Sequence, residues 1–224
     1  MKQGKCLKHT IAFLAWALAM SYLAGCTSVA EQVLQVNHRV FIIADSAAEF
    51  SGTQEKSGWL YGYIEPRKST EFSLMSAYSE DTWQEGDKRV VEGTWRVSEM
   101  DYWTMLRRTY GHPNGPDAAE GKKATELWAV RRWISSFEGK ILIRGLYGDD
   151  SDYCGEGSII QILVDGEEVF SSTVVNGQAT RAYEIDVSVQ TDSTVDWVIK
   201  PGETSQCDAT TLTGQILGTK PIRQ

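Results

Sequence analysis

Three groups of side chains in this sequence have types and spacings that could do chemistry. In SGWLYGYIEP (57–66) the aromatics Trp59, Tyr61 and Tyr63 fall at every second position. A strand would carry all three on one face, with Leu60, Gly62 and Ile64 on the other. Such a row either fills a core or forms a platform on which the C–H face of a sugar ring stacks. His112 lies in YGHPNGP, among Gly and Pro residues that make a loop. There it either donates a hydrogen bond to a hydroxyl-rich ligand or caps a turn. In AVRRW (129–133), Arg131 and Arg132 are adjacent and face opposite ways in a strand, and Trp133 shares a face with Arg131. One arginine is expected at the surface, and the other on an aromatic face or a buried carboxylate. At a binding site, Arg131 beside Trp133 would be a bidentate donor next to a platform.

Acids and thiols add two further sets. Asp149, Asp150 and Asp152 in GDDSDY (148–153) put hard oxygen ligands close together, although without the full spacing of a calcium loop; the other reading is a solvated acidic turn. Of the four cysteines, Cys6 falls in the N-terminal leader and Cys26 at its end, which leaves Cys154 and Cys207. Outside the cytoplasm a lone pair forms a disulfide rather than a metal site, and neither His38 nor His112 has ligand spacing to a cysteine. The G-x-S-x-G, H-E-x-x-H and P-loop signatures of catalysis do not occur, so no enzyme is expected.

The N-terminus has the layout of a secretory signal. Lys2, Lys5 and Lys8 precede the apolar run IAFLAWALAMSYLAGC, which is too short for a confident membrane span. Its end, Leu23-Ala24-Gly25-Cys26, resembles the lipobox of bacterial lipoproteins. That resemblance implies cleavage before Cys26, lipidation of its sulfur, and anchoring in the cell envelope. Thr27 in place of Asp points to the outer membrane. Loss of residues 1–25 would take three lysines and no acids, moving the formal charge from −8 to −11. An acidic surface argues against nucleic acid and polyanions, and favours neutral or cationic ligands.

The elements that must position these groups read as strands. VFIIA (40–44) is a short β-branched run, and SIIQILVDGEEVFSST reads as a hairpin turning at Asp165-Gly166. In RAYEIDVSV, Tyr183, Ile185, Val187 and Val189 face one way while Glu184, Asp186 and Ser188 face the other. Val195, Trp197 and Ile199 share a face in the next run. Strands with one wet face need a second sheet to cover the dry one. The prediction is an all-β, two-sheet antiparallel sandwich of jelly-roll type. It spans 36–224 after a tether at 26–35, with one short helix over 97–109 capped by Ser98.

Read in order, several phrases resemble successive blocks of a galactose-binding-like, carbohydrate-binding β-sandwich module of secreted and surface-anchored bacterial proteins. They are FSGTQEKSGWLYGY (50–63), HPNG (112–115), AVRRW with the strand from Gly139 to Gly145, GEGSIIQILVDGEEVF, and DSTVDWVIKPG with CDAT. The resemblance covers most of 40–216. Glu55 stands where that family tends to have Gly, and 65–110 follow the pattern poorly. It implies a non-catalytic glycan ligand near the HPNG loop and the AVRRW strand, and it keeps a structural calcium at Asp149, Asp150 and Asp152 open. The alternative is an adaptor lipoprotein that contacts another envelope protein.

Overall fold

A computed structural model describes residues 38–117, 119–151 and 154–221. These fall within one compact unit. Cys26, the leader, the tether and Asp152 lie outside the described residues.

The chain runs through β1 (His38–Asp45), β2 (Trp59–Ile64), β3 (Ser73–Leu74), β4 (Ala77–Glu85), β5 (Lys88–Arg96), β6 (Met105–Leu106), β7 (Tyr110–His112) and β8 (Trp128–Ile134). It continues through β9 (Gly139–Asp149), β10 (Ser158–Val164), β11 (Glu167–Val174), β12 (Arg181–Val189), β13 (Thr194–Pro201), β14 (Thr210–Leu212) and β15 (Gln215–Pro221). One sheet has the order β11-β10-β13-β8-β2-β3. The other has the order β1-β15-β9-β14-β7-β6-β5-β4, with β12 also paired to β9. The strand pairings among the described residues are antiparallel. The expected two-sheet sandwich is therefore the fold.

The core lies between the sheets. Trp59, Tyr61, Trp133, Ile160, Ile162, Val195, Trp197 and Ile199 enter it from the first sheet; Ile141, Ile143, Tyr147, Tyr183, Leu212 and Ile216 enter from the second. Alternation places them there: along β12, Tyr183 and Val189 are buried while Glu184, Asp186 and Ser188 are exposed. The hairpin from β10 to β11 turns at Asp165 and Gly166, whose φ values of 51° and 84° are those of a two-residue type I′ turn.

The helix expected over 97–109 does not form. Ser98 Oγ does accept the Asp101 N–H, at 3.3 Å, but only a turn follows. The Trp103 N–H donates to Asn114 Oδ1 at 2.9 Å instead of to a carbonyl one helical turn earlier. Met105 and Leu106 then pair with β5 and β7 as β6. Tertiary partners for the backbone override a weak local helix preference.

Candidate functional site

The aromatic row belongs to the core rather than to a platform. Trp59 and Tyr61 are 0% exposed, and Tyr63 is half-buried against them. The Trp59 indole N–H donates to Glu49 Oε2 at 2.8 Å, and its ring lies 5.4 Å from that of Trp197. Tyr61 stacks on Trp95 with centroids 5.6 Å apart, and its hydroxyl accepts the Ser51 N–H. Gln54 closes the strand start: its carbonyl takes the Tyr61 N–H, and its amide donates to Tyr61 O and Met75 O. On the other face, β3 pairs along the edge of β2 and the Phe72 ring lies over Gly62: a Cβ there would sit 2.3 Å from Ser73 O and 2.4 Å from Phe72, while Leu60 and Ile64 are buried.

The two arginines divide between the faces, Arg131 inward over the Phe50 ring and Arg132 outward. Arg131 is the buried one, 2% exposed, with its NH1 and NH2 donating to Leu212 O and Arg107 O. Burial lowers its pKa to about 10, and its Nε has no partner. Trp133 is buried beside it. Arg132, on the outer face, grips the buried Asp196 with two bonds of 2.7 Å and lies over Phe72. Neither Arg131 nor Trp133 is open to a ligand.

Cys154 and Cys207 form the expected disulfide, with Cα atoms 5.6 Å apart. It joins the loop before β10 to the loop after β13. The described part of the GDDSDY loop does not assemble a calcium cage. Asp149 spends one oxygen on the Ser151 N–H (3.0 Å) and the other on the Gly177 N–H (2.6 Å), which is a turn-capping role. Asp150 meets only Thr211 Oγ1, at 3.4 Å. Among the described residues no group of three acids, histidines or cysteines could hold a metal ion.

The HPNG loop builds a site, although through a residue other than the expected one. His112 is 8% exposed, its ring bonded to Pro113 O and 5.9 Å from Trp103. Burial lowers its pKa, so the imidazole stays neutral. The organiser is Asn114, fully buried. Its carbonyl oxygen takes the Trp103 N–H, and its amide donates to Gly115 O, Lys123 O and Thr125 O at 2.7–3.0 Å. One side chain thus ties the Trp103 segment to the segment that carries Lys122.

Beside Trp103 opens a pocket of about 410 Å³, whose walls include Asp81, Arg96, Tyr102, Arg107 and Lys122. Its polar wall is rigid. Arg96 and Arg107 both grip Asp81, which also accepts from Thr94 Oγ1 at 2.8 Å. Arg107 is held further by Thr94 and Tyr110 and stacks 4.8 Å over Trp83. Partial burial acts to raise the Asp81 pKa, but the bonds from Arg96, Thr94 and Arg107 overcome it and hold the carboxyl far below the usual range. Asp81 is therefore a fixed acceptor and a poor proton donor. A second cleft, about 460 Å³, lies between Trp103 and His112 on one side and Ser205–Cys207 on the other.

A larger cavity, about 610 Å³, lies elsewhere, over Gly145, Leu146 and Ala182. Its one aromatic, Tyr183, is buried, its hydroxyl donating to Thr213 O. Size favours that groove. The Trp103 pocket is preferred because it combines partly exposed rings with fixed polar groups, the pairing that orients a small ligand. Nothing in the periodicity of VSEMDYWTMLRR marks Tyr102 and Trp103 as wall residues. The one sign was negative: they fall in the stretch, 65–110, that departs from the family pattern.

No protein-family model matches this chain, and no curated protein matches it. Solved structures do. The tandem CBM51 modules of Sp3GH98, the family 98 glycoside hydrolase from Streptococcus pneumoniae SP3-BS71, align with 83% of this chain and 42% of theirs, at 10% identity and a TM-score of 0.37. The CBM51-2 and INT domains from Clostridium perfringens ZmpB align with 80% of this chain and 40% of theirs, at 11% identity and a TM-score of 0.36. The same domains, with CBM51-2 in complex with GlcNAc, give 73%, 41%, 11% and 0.34. The chain spans less than half the length of these structures. At such values the likeness identifies no shared site.

Proposed function

We propose that this protein is an envelope lipoprotein, anchored through Cys26, whose sandwich binds glycan without catalysis in the pocket beside Trp103. The observation that carries the reading is the pocket's composition: Tyr102 and Trp103 border an Asp81–Arg96–Arg107 network already locked in place. Sugars offer C–H faces that stack on indole and phenol rings, and hydroxyls that bond to fixed charged groups. Because the network is formed before a ligand arrives, little ordering cost falls on binding. Asp81, a carboxyl of the pocket wall, is held ionised by two arginines, which supports a binding role over acid catalysis there.

The adaptor reading draws on Val40 and Ile42, 58% and 57% exposed on the edge strand β1. These are two separate side chains rather than a broad apolar surface.

Trp103→Ala and Trp59→Ala separate the readings on a glycan array with parallel melting curves. Trp103→Ala is expected to lose binding while melting shifts little. Trp59→Ala is expected to lose about 3–5 kcal/mol of stability. Full binding by Trp103→Ala would remove the proposed site. For the anchor, Cys26→Ser should release the protein from the detergent phase on fractionation; retention at wild-type levels refutes the anchor.

A further inference from the structure

We propose that the Trp103 pocket prefers a glycan residue bearing one anionic substituent, a carboxylate or a sulfate ester, held by Lys122. This rests on the glycan reading above and narrows it. The chain as a whole is acidic, with a formal charge of −8, and by that measure a neutral ligand is expected. The pocket is locally different. Three cations, Arg96, Arg107 and Lys122, line it against two carboxylates, Asp81 and Glu99.

The arginines are already balanced. They share Asp81, and Glu92 lies 3.9 Å from Arg107 NH1 on the side away from the pocket lining. Lys122 is not balanced. Its ammonium donates to Glu99 O at 2.9 Å and to Met100 O at 3.4 Å, and it sits 4.7 Å from the centre of the Trp103 ring. No ion pair among the described residues includes it. Its neighbour Lys123, by contrast, pairs with Asp101 at 3.1 Å. An ammonium has three donors. Two of those on Lys122 point at backbone carbonyls, which leaves one for a ligand resting against Trp103. Arg96 adds a second donor: its NH1 and NH2 are engaged, and its Nε makes no hydrogen bond.

A single anionic substituent suits this arrangement better than a polyanion does. The favourable charge is confined to one side chain, and exposed charges act over only about 8 Å at physiological salt. Glu99 opposes the anion from the rim, which makes it a useful control.

The test is a glycan array carrying matched pairs, each sialylated, uronate-bearing or sulfated glycan beside its uncharged parent, probed with the full-length chain in detergent. The expected result is a preference of about ten-fold for the anionic member of at least one pair. That preference should shrink with added salt. Lys122→Gln should abolish it with little change in melting temperature, and Glu99→Gln should enlarge it. Equal binding of charged and neutral members overturns the inference and leaves the glycan reading standing. A preference that survives Lys122→Gln also overturns it. Binding to no glycan of either kind overturns the glycan reading itself.

Discussion

Asp208 is 1% exposed, and both its carboxyl oxygens are buried without a hydrogen-bond partner. Burial raises its pKa, and so do the negative charges of Glu156, Asp117 and Asp149; the Gly202 amide pulls the other way but lies outside bonding geometry. Together they push the carboxyl up to about 8, from an ordinary 3.8. The folded protein therefore keeps a proton that the unfolded chain releases. Stability attached to this group is present in full below pH 4, falls as pH rises toward 8, and stays lost above that. Each pH unit in the window is worth about 1.4 kcal/mol, which sets a ceiling near 6 kcal/mol. Rearrangement around the ionised carboxylate relieves part of it, so about 3 kcal/mol is the working figure. Asp208→Asn keeps the shape and removes the charge. At roughly 2–4 °C per kcal/mol for a domain of this size, it should raise the melting temperature by about 6–12 °C at pH 9. At pH 4 the shift should stay within about 2 °C, because both forms are then neutral. The assay is thermal melting at the two pH values, with the disulfide intact. A variant destabilised equally at both would show that the carboxylate has a stabilising partner and would refute the reasoning.

Three further outcomes are expected. The Cys154–Cys207 bond closes a loop of 53 residues. Its loss in the double Ser variant should cost about 4 kcal/mol in urea denaturation, and no change on reduction would count against it. Glu55 is exposed and holds a φ of 67°. Glu55→Gly should therefore stabilise by about 1 kcal/mol, and an unchanged urea midpoint would show no strain there. His112 is neutral because burial lowers its pKa, so the unfolded chain takes up a proton first as pH falls below 6.5. Wild type should lose stability through that range, and His112→Gln should flatten the loss in melting curves from pH 7 to 5.

What was legible in the sequence was whatever depends on neighbours a few positions away. The alternation in RAYEIDVSV marks β12 and its dry face, because successive strand residues point to opposite sides. Asp165-Gly166 marks the β10–β11 hairpin, because both residues tolerate positive φ. Elimination among four cysteines leaves the disulfide pair.

The tertiary structure decided which face of a strand is inside and what meets beyond it. The period of two in GWLYGY states only that Trp59, Tyr61 and Tyr63 lie together. The second sheet, through Trp95 and its neighbours, covers that face and makes it core. Arg131 and Arg132 are the same residue type one position apart, yet one is buried against carbonyls of β14 and the β6–β7 connection while the other meets Asp196 on the outer face. The Trp103 pocket depends most on tertiary structure. Its walls come from β4, β5, β6 and three loops, and Asn114 holds two of these loops together by bonds to Trp103, Lys123 and Thr125. Those bonds cost the 97–109 stretch its helix. Local spacing carries no information about a partner on another segment, so the sequence by itself set β1, β2, β8 to β13, the hairpin turn and the disulfide, while β3 to β7 and the site waited on long-range hydrogen bonds.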